Sequence, residues 1–390
     1  MVDLSERGGT ASGDVTDDEA LAGTRNLVAF PRQWWYPVAQ SKDLGAKRPI
    51  AVELMERPLA VFRDATGHPR ALLDRCPHRN LPLSLGRVHR HGDLECGYHG
   101  WRFDGTGSCT AIPGLASDGG SPASPARQVG AHHAIERHGF VWVWGVPADD
   151  PGGEPTSDPF PLPDVAAAHR TDRGSTGEVV FDYLLESTVH ASLENALDVP
   201  HTAFLHKGIF RGGDPRDITA TRREIAGGIE VQFVGEPVGL GPIRGKDGSQ
   251  LTFDHWDRFF LPSIAQIEYG VRGFLHIVNT ILHLPVAPRR TRAWFVVRYW
   301  TRLPSVVARP IVLARGKQIV RQDIKVLADQ TERIARFGGE RYASTELDLF
   351  GNGIWRLLRQ AERAEEDAVG TPVALPPPRA DTERTIILRI

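Results

Sequence analysis

The sequence predicts an α+β protein in which a small β domain precedes a larger unit of strands followed by helices. Three observations carry this. Between about Trp34 and Val146 the apolar runs are short and broken by Gly, Pro and Asp; Leu59–Arg63 followed by the turn Asp64–Gly67, and the alternating run Phe140–Trp144, are examples. Prolines then recur at 147, 151, 155, 159, 161 and 163, which reads as an extended linker. Beyond Gly174 come β-rich runs at 229–233, 266–269 and 293–300, then helical periodicity from about Ile319 to Arg336 and from Tyr342 to Glu365. Strands followed by helices argue for α+β.

The expected organisation is a disordered arm over residues 1–25, a β domain over 30–146, a linker over 147–173, a second domain over 174–370 and a tail over 371–390. The arm is polar and acidic and lacks the apolar region of a secretory signal. In the tail, Ile386, Ile387 and Leu388 are apolar enough to dock on the body or on a neighbour. A net charge of -2 with no basic block argues against nucleic acid or an anionic membrane as partner. No run approaches a membrane span, since Ile311–Ala314 is cut short by Arg315. The 3 cysteines cannot build a disulfide framework, which points to a reducing, cytoplasmic setting.

Chemistry concentrates in two places. Cys76-Pro77-His78 and Cys96-Gly97-Tyr98-His99 each offer one thiolate and one imidazole. Two Cys and two His can hold a [2Fe–2S] cluster in which imidazoles replace thiolates on one iron. A Cys2His2 zinc site is the competing reading, but zinc pairs usually join like with like, whereas each segment here is mixed. Downstream, Asn195, Asp198, His201 and His206 fall in one apolar stretch. Two imidazoles and a carboxylate leave open positions on Fe(II), the facial triad of non-haem oxygenases. Asp198, three residues before His201, is placed to hold an imidazole nitrogen. Residues five apart on a regular helix diverge by about 140°, so His201 and His206 require a break, expected at Pro200, and a short distorted helix ending near Gly208.

Cys-Pro-His-Arg at 76–79 with Cys-Gly-Tyr-His-Gly-Trp at 96–101, followed by Asn-x2-Asp-x2-His-x4-His at 195–206, resembles the terminal oxygenase (α-type) subunit of the Rieske non-haem iron oxygenases, over about Trp34 to Glu365. Leu81 and Tyr98 stand where respiratory Rieske proteins carry an extra disulfide, which favours the oxygenase type. The resemblance implies an N-terminal antiparallel β Rieske domain, and a C-terminal antiparallel sheet with covering helices (helix-grip, START-like). It implies a [2Fe–2S] cluster on Cys76, His78, Cys96 and His99, and a mononuclear Fe(II) on His201, His206 and an acid from the 319–330 helix. Asp323 is the candidate acid, with Asp329 and Glu332 as competitors; Gln322 and Ala328 depart from the pattern, which has an acid at the first of these. It also implies a homotrimer, electrons from NAD(P)H through a separate reductase or ferredoxin, O2 as co-substrate, and Asp198 bridging the two metal centres across neighbouring subunits.

The run after the ligands, Leu205–Arg211, is similar to the monooxygenase and oxidative-tailoring branch, implying oxidation of a bulky apolar or aromatic small molecule by hydroxylation, demethylation, desaturation or cyclisation. Val199, Phe204, Tyr269, His276 and Asn279 are candidate pocket residues. His255, His276 and His283 read first as ordinary structural or surface histidines. The rival functions are an electron carrier without catalysis, a dihydroxylating aromatic dioxygenase, and a zinc-binding interaction protein.

Overall fold

The computed structural model describes residues 30–115, 121–169, 172–207, 216–238, 251–367, 374–379 and 382–389. The expected N-terminal arm, the helix end near Gly208 and most of the 205–211 run lie outside them. The first part holds three small antiparallel sheets. One joins β1 (Trp35–Gln40), β11 (Phe140–Trp144) and β10 (Ala134–Arg137). A second orders β2 (Ile50–Leu54), β3 (Arg57–Arg63), β4 (Pro69–Leu73) and β9 (Ala131–His132). The third orders β5 (Arg87–Val88), β6 (Leu94–Glu95), β7 (Arg102–Phe103) and β8 (Cys109–Ala111).

The larger part is one eight-stranded antiparallel sheet. Its strands are β12 (Ser175–Leu185), β13 (Asp217–Ile225), β14 (Gly228–Val234), β15 (Asp254–Phe260), β16 (Ile264–Val271), β17 (Leu275–Ala287), β18 (Arg290–Thr301) and β19 (Arg384–Arg389). Their order is β12-β18-β17-β16-β15-β14-β13-β19. The apolar tail therefore docks as an edge strand on β13. A one-turn helix α1 (Val165–Ala168) ends the Pro-rich connector. Three helices cover the inner sheet face, α2 (Val189–Leu197), α4 (Ser305–Arg336) and α5 (Gly351–Asp367), and a one-turn helix α3 (Thr202–Leu205) follows α2. α2 lies over β15, β16 and β17; α4 crosses β12 and β18, and α5 packs on α2 and β14. Among the described residues no helix is long and apolar enough to cross a membrane.

Several sequence expectations need correction. α4 begins at Ser305, well before Ile319, and runs through Pro310, which forgoes the bond a backbone N–H there would make to Val306 O. α5 begins at Gly351 rather than Tyr342. Phe140–Trp144 was expected to alternate, yet all five residues are buried. Val141 and Val143 pack with Tyr36, Leu284 and Val286, while Phe140, Trp142 and Trp144 pack with Leu282, Trp294 and Val296. The large sheet thus closes the second face of β11. Hydrogen bonds seal the junction: Met55 N–H to Pro285 O at 2.8 Å and Trp294 Nε1–H to Pro37 O at 3.1 Å. The extended connector is pinned to the β domain: Trp144 Nε1–H donates to Gly152 O and Trp35 Nε1–H to Ser157 O.

Candidate metal centres

The two Cys/His loops share one backbone design. In the first, Cys76 N–H donates to Leu81 O (2.9 Å) and Asn80 N–H to Cys76 O (2.8 Å); in the second, Cys96 N–H donates to Trp101 O (2.8 Å) and Gly100 N–H to Cys96 O (3.1 Å). The fifth residue of each loop takes positive φ, 63° at Asn80 and 69° at Gly100. Gly and Asn are the residues that reach this region at least cost. Each loop therefore turns its Cys inward and its His outward. The rings of His78 and His99 stand 4.4 Å apart, and His78 stacks on Trp101 at 4.6 Å.

Both loops are tied to their bases. Asp74 accepts from Ser84 N–H and Oγ–H at 2.6 Å, fixing the start of the first. Glu95, next to Cys96, is held by Arg87 and Arg102 (2.8 and 3.0 Å); burial alone would raise its pKa, but the two guanidiniums outweigh that and hold the carboxyl below its usual range.

The residues fit a [2Fe–2S] cluster on grounds of local chemistry. Cys76 and Cys96 are free, buried thiols. Burial, with Cys96 beside it, pushes Cys76 up to about 11, so a thiolate there needs a cation to stabilise it. His78 Nδ1 is buried and has no hydrogen-bond partner, a gap that buried polar atoms rarely tolerate. Cys109 is a third buried thiol, near Ala111 O at 3.8 Å.

The second centre is assembled from three elements. α2 stops at Leu197 and Asp198 turns extended (φ -85°, ψ 95°). The chain passes Pro200 and restarts as α3 with His201 at its N-cap. This break, as the spacing predicts, lets both imidazoles point the same way. His201 Nε2 lies 3.2 Å from His206 Nε2. From α4, Asp323 Oδ1 comes within 3.2 Å of His206 Nε2 and 3.7 Å of His201 Nε2. The ligand atoms of these three all lie within 4.8 Å of one another, close enough to share a metal ion. Asp329 and Glu332 are exposed farther along α4.

Surrounding groups orient this trio. Asp198 Oδ2 is 3.5 Å from His201 Nδ1, too long for a strong hydrogen bond, and Nδ1 is otherwise unpartnered. Asn195 Nδ2–H reaches Asp323 Oδ1 at 3.5 Å. Gln322 Oε1 lies 2.8 Å from His206 Nδ1, a contact sequence reasoning missed, although Gln322 was noted as a departure. Burial lowers the His206 pKa, but the facing Asp323 overcomes this and holds it above the ordinary value. Two imidazoles crowded onto one carboxylate suit a divalent cation in place of that proton. A cleft of about 250 Å3 opens beside them, lined among others by Asn195, Asp198, His201, Phe233 and Leu327.

The pocket candidates divide. Val199 packs with the core and also lines the cleft beside His201. Tyr269 and Asn279 stand on the inner sheet face with Ala265, Ile267, Ile277 and Ile281, the residues that pack towards the helices. Asn279 Oδ1 is buried without a hydrogen-bond partner. Phe204 and His276 are corrections. Phe204 is 86% exposed, on a single-turn helix that has no buried residue of its own and is capped at either end by His201 and His206. His276 is on the outer face, where period-2 alternation puts it with Val278. There it joins Glu268 (2.9 Å) to His169 of the connector (2.8 Å).

Of the histidines read as ordinary, His255 is unusual. It is fully buried between Glu236 (2.7 Å) and Asp257 (3.0 Å), stacked on Phe233 and Tyr269. The i, i+2 spacing of His255 and Asp257 was the available signal, since it puts both on one face of a strand.

Comparison with known proteins places these centres in a family. Residues 34–128 match the Rieske [2Fe-2S] domain, and residues 185–364 the Vanillate O-demethylase oxygenase C-terminal domain. The chain is 25% identical to the vanillate O-demethylase oxygenase subunit of Pseudomonas sp. (strain HR199 / DSM 7063), over 87% of this chain and 97% of that protein. It is 31% identical to flavonoid 8-hydroxylase 2, chloroplastic, of Ocimum basilicum, over 67% of this chain and 48% of that one. It is 35% identical to the oxygenase component of dicamba O-demethylase from Stenotrophomonas maltophilia, over 46% and 49%. The chain spans about half or less of the first curated relatives it matches.

In fold, it superposes on dicamba monooxygenase bound to dicamba with TM-score 0.67 and 24% identity, covering 87% of this chain and 100% of that one. On the Pseudomonas putida CBB5 NdmA QL mutant with theobromine the TM-score is 0.69 at 21% identity, covering 93% and 99%. A Rieske domain joined in one chain to this C-terminal domain is the architecture of a terminal oxygenase, and the chain belongs to the Rieske non-haem iron oxygenases.

Proposed function

We propose that this chain is the terminal oxygenase of a multicomponent system that oxidises an aromatic small molecule by O-demethylation or hydroxylation. The single observation that carries the reading is the convergence of His201, His206 and Asp323 beneath a broken helix, in a chain that also carries the paired Cys/His loops. An electron carrier needs only the loops, and a zinc protein needs neither thiol–imidazole mixing nor the trio. Bound Fe(II) at the trio would supply O2 activation, and the [2Fe–2S] cluster would supply electrons one at a time.

The chain's own residues have separable tasks. Cys76, His78, Cys96 and His99 hold the cluster at a loop tip where His99 is exposed for contact. His201, His206 and Asp323 hold the iron. Asn195 steadies the Asp323 carboxylate. Asp198 sits half-buried at the cleft, with one oxygen towards His201; its other oxygen is proposed to accept from the partner subunit's His99 in a homotrimer, coupling the centres through this one carboxylate. Val199, Tyr269 and Asn279 line the substrate space, apolar walls with one amide to orient the ring substituent. Overall, R–H, O2, two electrons and two protons give R–OH and water; on an O-methyl carbon the product releases formaldehyde and a phenol. The electrons come from NAD(P)H through a separate reductase, with or without a ferredoxin. Relatives named for vanillate, dicamba and flavonoids support the aromatic class.

The test is iron content and colour, followed by turnover. Three iron per chain, a red-brown spectrum and substrate-dependent NAD(P)H and O2 consumption with a surrogate reductase across methoxy-arenes and phenols are expected. Two iron per chain would leave only the electron carrier, and a colourless protein only zinc.

A further inference from the structure

His206 is gripped at both ring nitrogens by consecutive residues of α4. Nδ1 is 2.8 Å from Gln322 Oε1, and Nε2 is 3.2 Å from Asp323 Oδ1. An amide oxygen only accepts, so the first contact puts a proton on Nδ1 and leaves the Nε2 lone pair facing His201 Nε2 and Asp323. Turning the amide nitrogen to Nδ1 would force the proton onto Nε2, inside the converging group, where no cation could then bind. His201 is held differently: its Nδ1 faces a carboxylate, Asp198, at 3.5 Å. The two imidazoles thus have unlike supports, one a distant anion, the other a close neutral amide.

We propose that Gln322 is a positioning residue that fixes the tautomer and ring orientation of His206, and that its neutrality keeps His206 a weaker electron donor than a carboxylate partner would. This rests on the iron site of the functional reading above. A carboxylate hydrogen-bonded to Nδ1–H draws the proton towards itself and makes the imidazole a stronger donor, which favours the ferric state; an amide holds the same geometry without that pull. The trio already brings one negative charge, and Asp198 a second close by. A third carboxylate at position 322 would stabilise Fe(III) further and make the centre harder to reduce from the cluster.

Gln322 is only partly buried, so both Gln322→Leu and Gln322→Glu are sterically accommodated. The measurements are Fe(II) affinity by chelator competition under anaerobic conditions, and the midpoint potential of the mononuclear iron, with the [2Fe–2S] absorption spectrum as internal control. Gln322→Leu is expected to weaken Fe(II) binding by about 10–100-fold with an unchanged cluster spectrum. Gln322→Glu is expected to bind Fe(II) as wild type does and to lower the mononuclear potential, leaving that of the cluster in place. If Gln322→Leu binds Fe(II) within about threefold of wild type, or Gln322→Glu leaves the potential unmoved, the proposal is wrong. Should Gln322→Leu lose the cluster spectrum as well, the potential of Gln322→Glu decides alone. A wild-type chain that binds no iron at the trio overturns the functional reading itself, and this inference with it.

Discussion

The cluster loops and the iron trio solve one problem, converging ligands, by opposite means. The loops are local: four ligand residues lie within 24 positions of sequence, on two turns of matching hydrogen bonds. The trio joins α2's broken end to an α4 residue more than a hundred positions away, and depends on the whole sheet to bring those helices together. A local site tolerates change elsewhere, whereas an assembled site registers any shift in helix packing. The two should therefore fail independently, and the sharpest way to break the comparison is to remove one ligand from each. Cys76→Ser should bleach the red-brown chromophore yet keep iron at the trio. His201→Ala should keep two iron and the colour while turnover falls by roughly three orders of magnitude or more. Iron quantitation with absorption spectra reads both; loss of metal from both places on either change would show one cooperative unit instead.

The next effect tests what joins them. Asp198→Ala should keep three iron per chain and lose on the order of 100-fold in turnover, since partners of this type commonly have effects of that size. Asn195→Ala, whose amide reaches Asp323 only at 3.5 Å, should cost only a few-fold. Stopped-flow oxidation of the reduced cluster by O2 in the presence of substrate separates slow coupling from a damaged iron site. A coupled rate unchanged in Asp198→Ala would remove Asp198 from the electron path.

This contrast also explains what could be read from the chain. Both Cys/His pairs, and the break at Pro200, are written in short range, in residue types and spacings that leave few alternatives. Asp323 needed the resemblance, because nothing local separates it from Asp329 or Glu332; only the packing of α4 on α2 does. Phe204 was misplaced because a four-residue helix has too little periodicity to show which side faces in. His276 and Asn279 lie three apart on one strand and so face opposite ways; naming both as pocket residues could not have been right for both. Gln322 was read only as a departure because its partner, His206, lies 116 positions away; His255 was passed over although Asp257 is two residues on, because its second acid, Glu236, comes from another segment.

His255 supplies an effect of intermediate size within the assembled region. Burial lowers its pKa, but Asp257 and Glu236 dominate and raise it to about 9. An unfolded imidazole titrates near about 6.5. The folded state therefore holds the proton more tightly, so the stabilisation is complete below about 6.5 and is lost as pH rises through about 9. Urea unfolding at the two ends of that window should show the wild type losing on the order of 1–3 kcal/mol more than His255→Gln, which keeps hydrogen-bonding groups but no charge. The cluster loops contain no such buried cation. A loss of chromophore that tracked this pH step would mean the loops depend on the sheet after all.

The smallest effects test whether the two loops really are one design. Asn80 and Gly100 hold equivalent positions at φ 63° and 69°, so the loops predict how each should respond. Asn80→Gly gives up only an exposed hydrogen bond from Arg75 Nε–H (2.8 Å) and relieves the left-handed backbone, so stability should stay within about 0.5 kcal/mol. Asn80→Val places a β-branched residue at positive φ and should cost about 1–2 kcal/mol. At Gly100, Ala meets the same backbone cost, and its Cβ would stand 3.0 Å from Pro113 Cγ; a loss of about 1–2 kcal/mol is expected there too. Thermal loss of the chromophore orders the three variants. If Asn80→Val proved harmless while Gly100→Ala did not, Pro113 rather than the shared turn would govern the second loop, and the likeness between the two would stop at their hydrogen bonds.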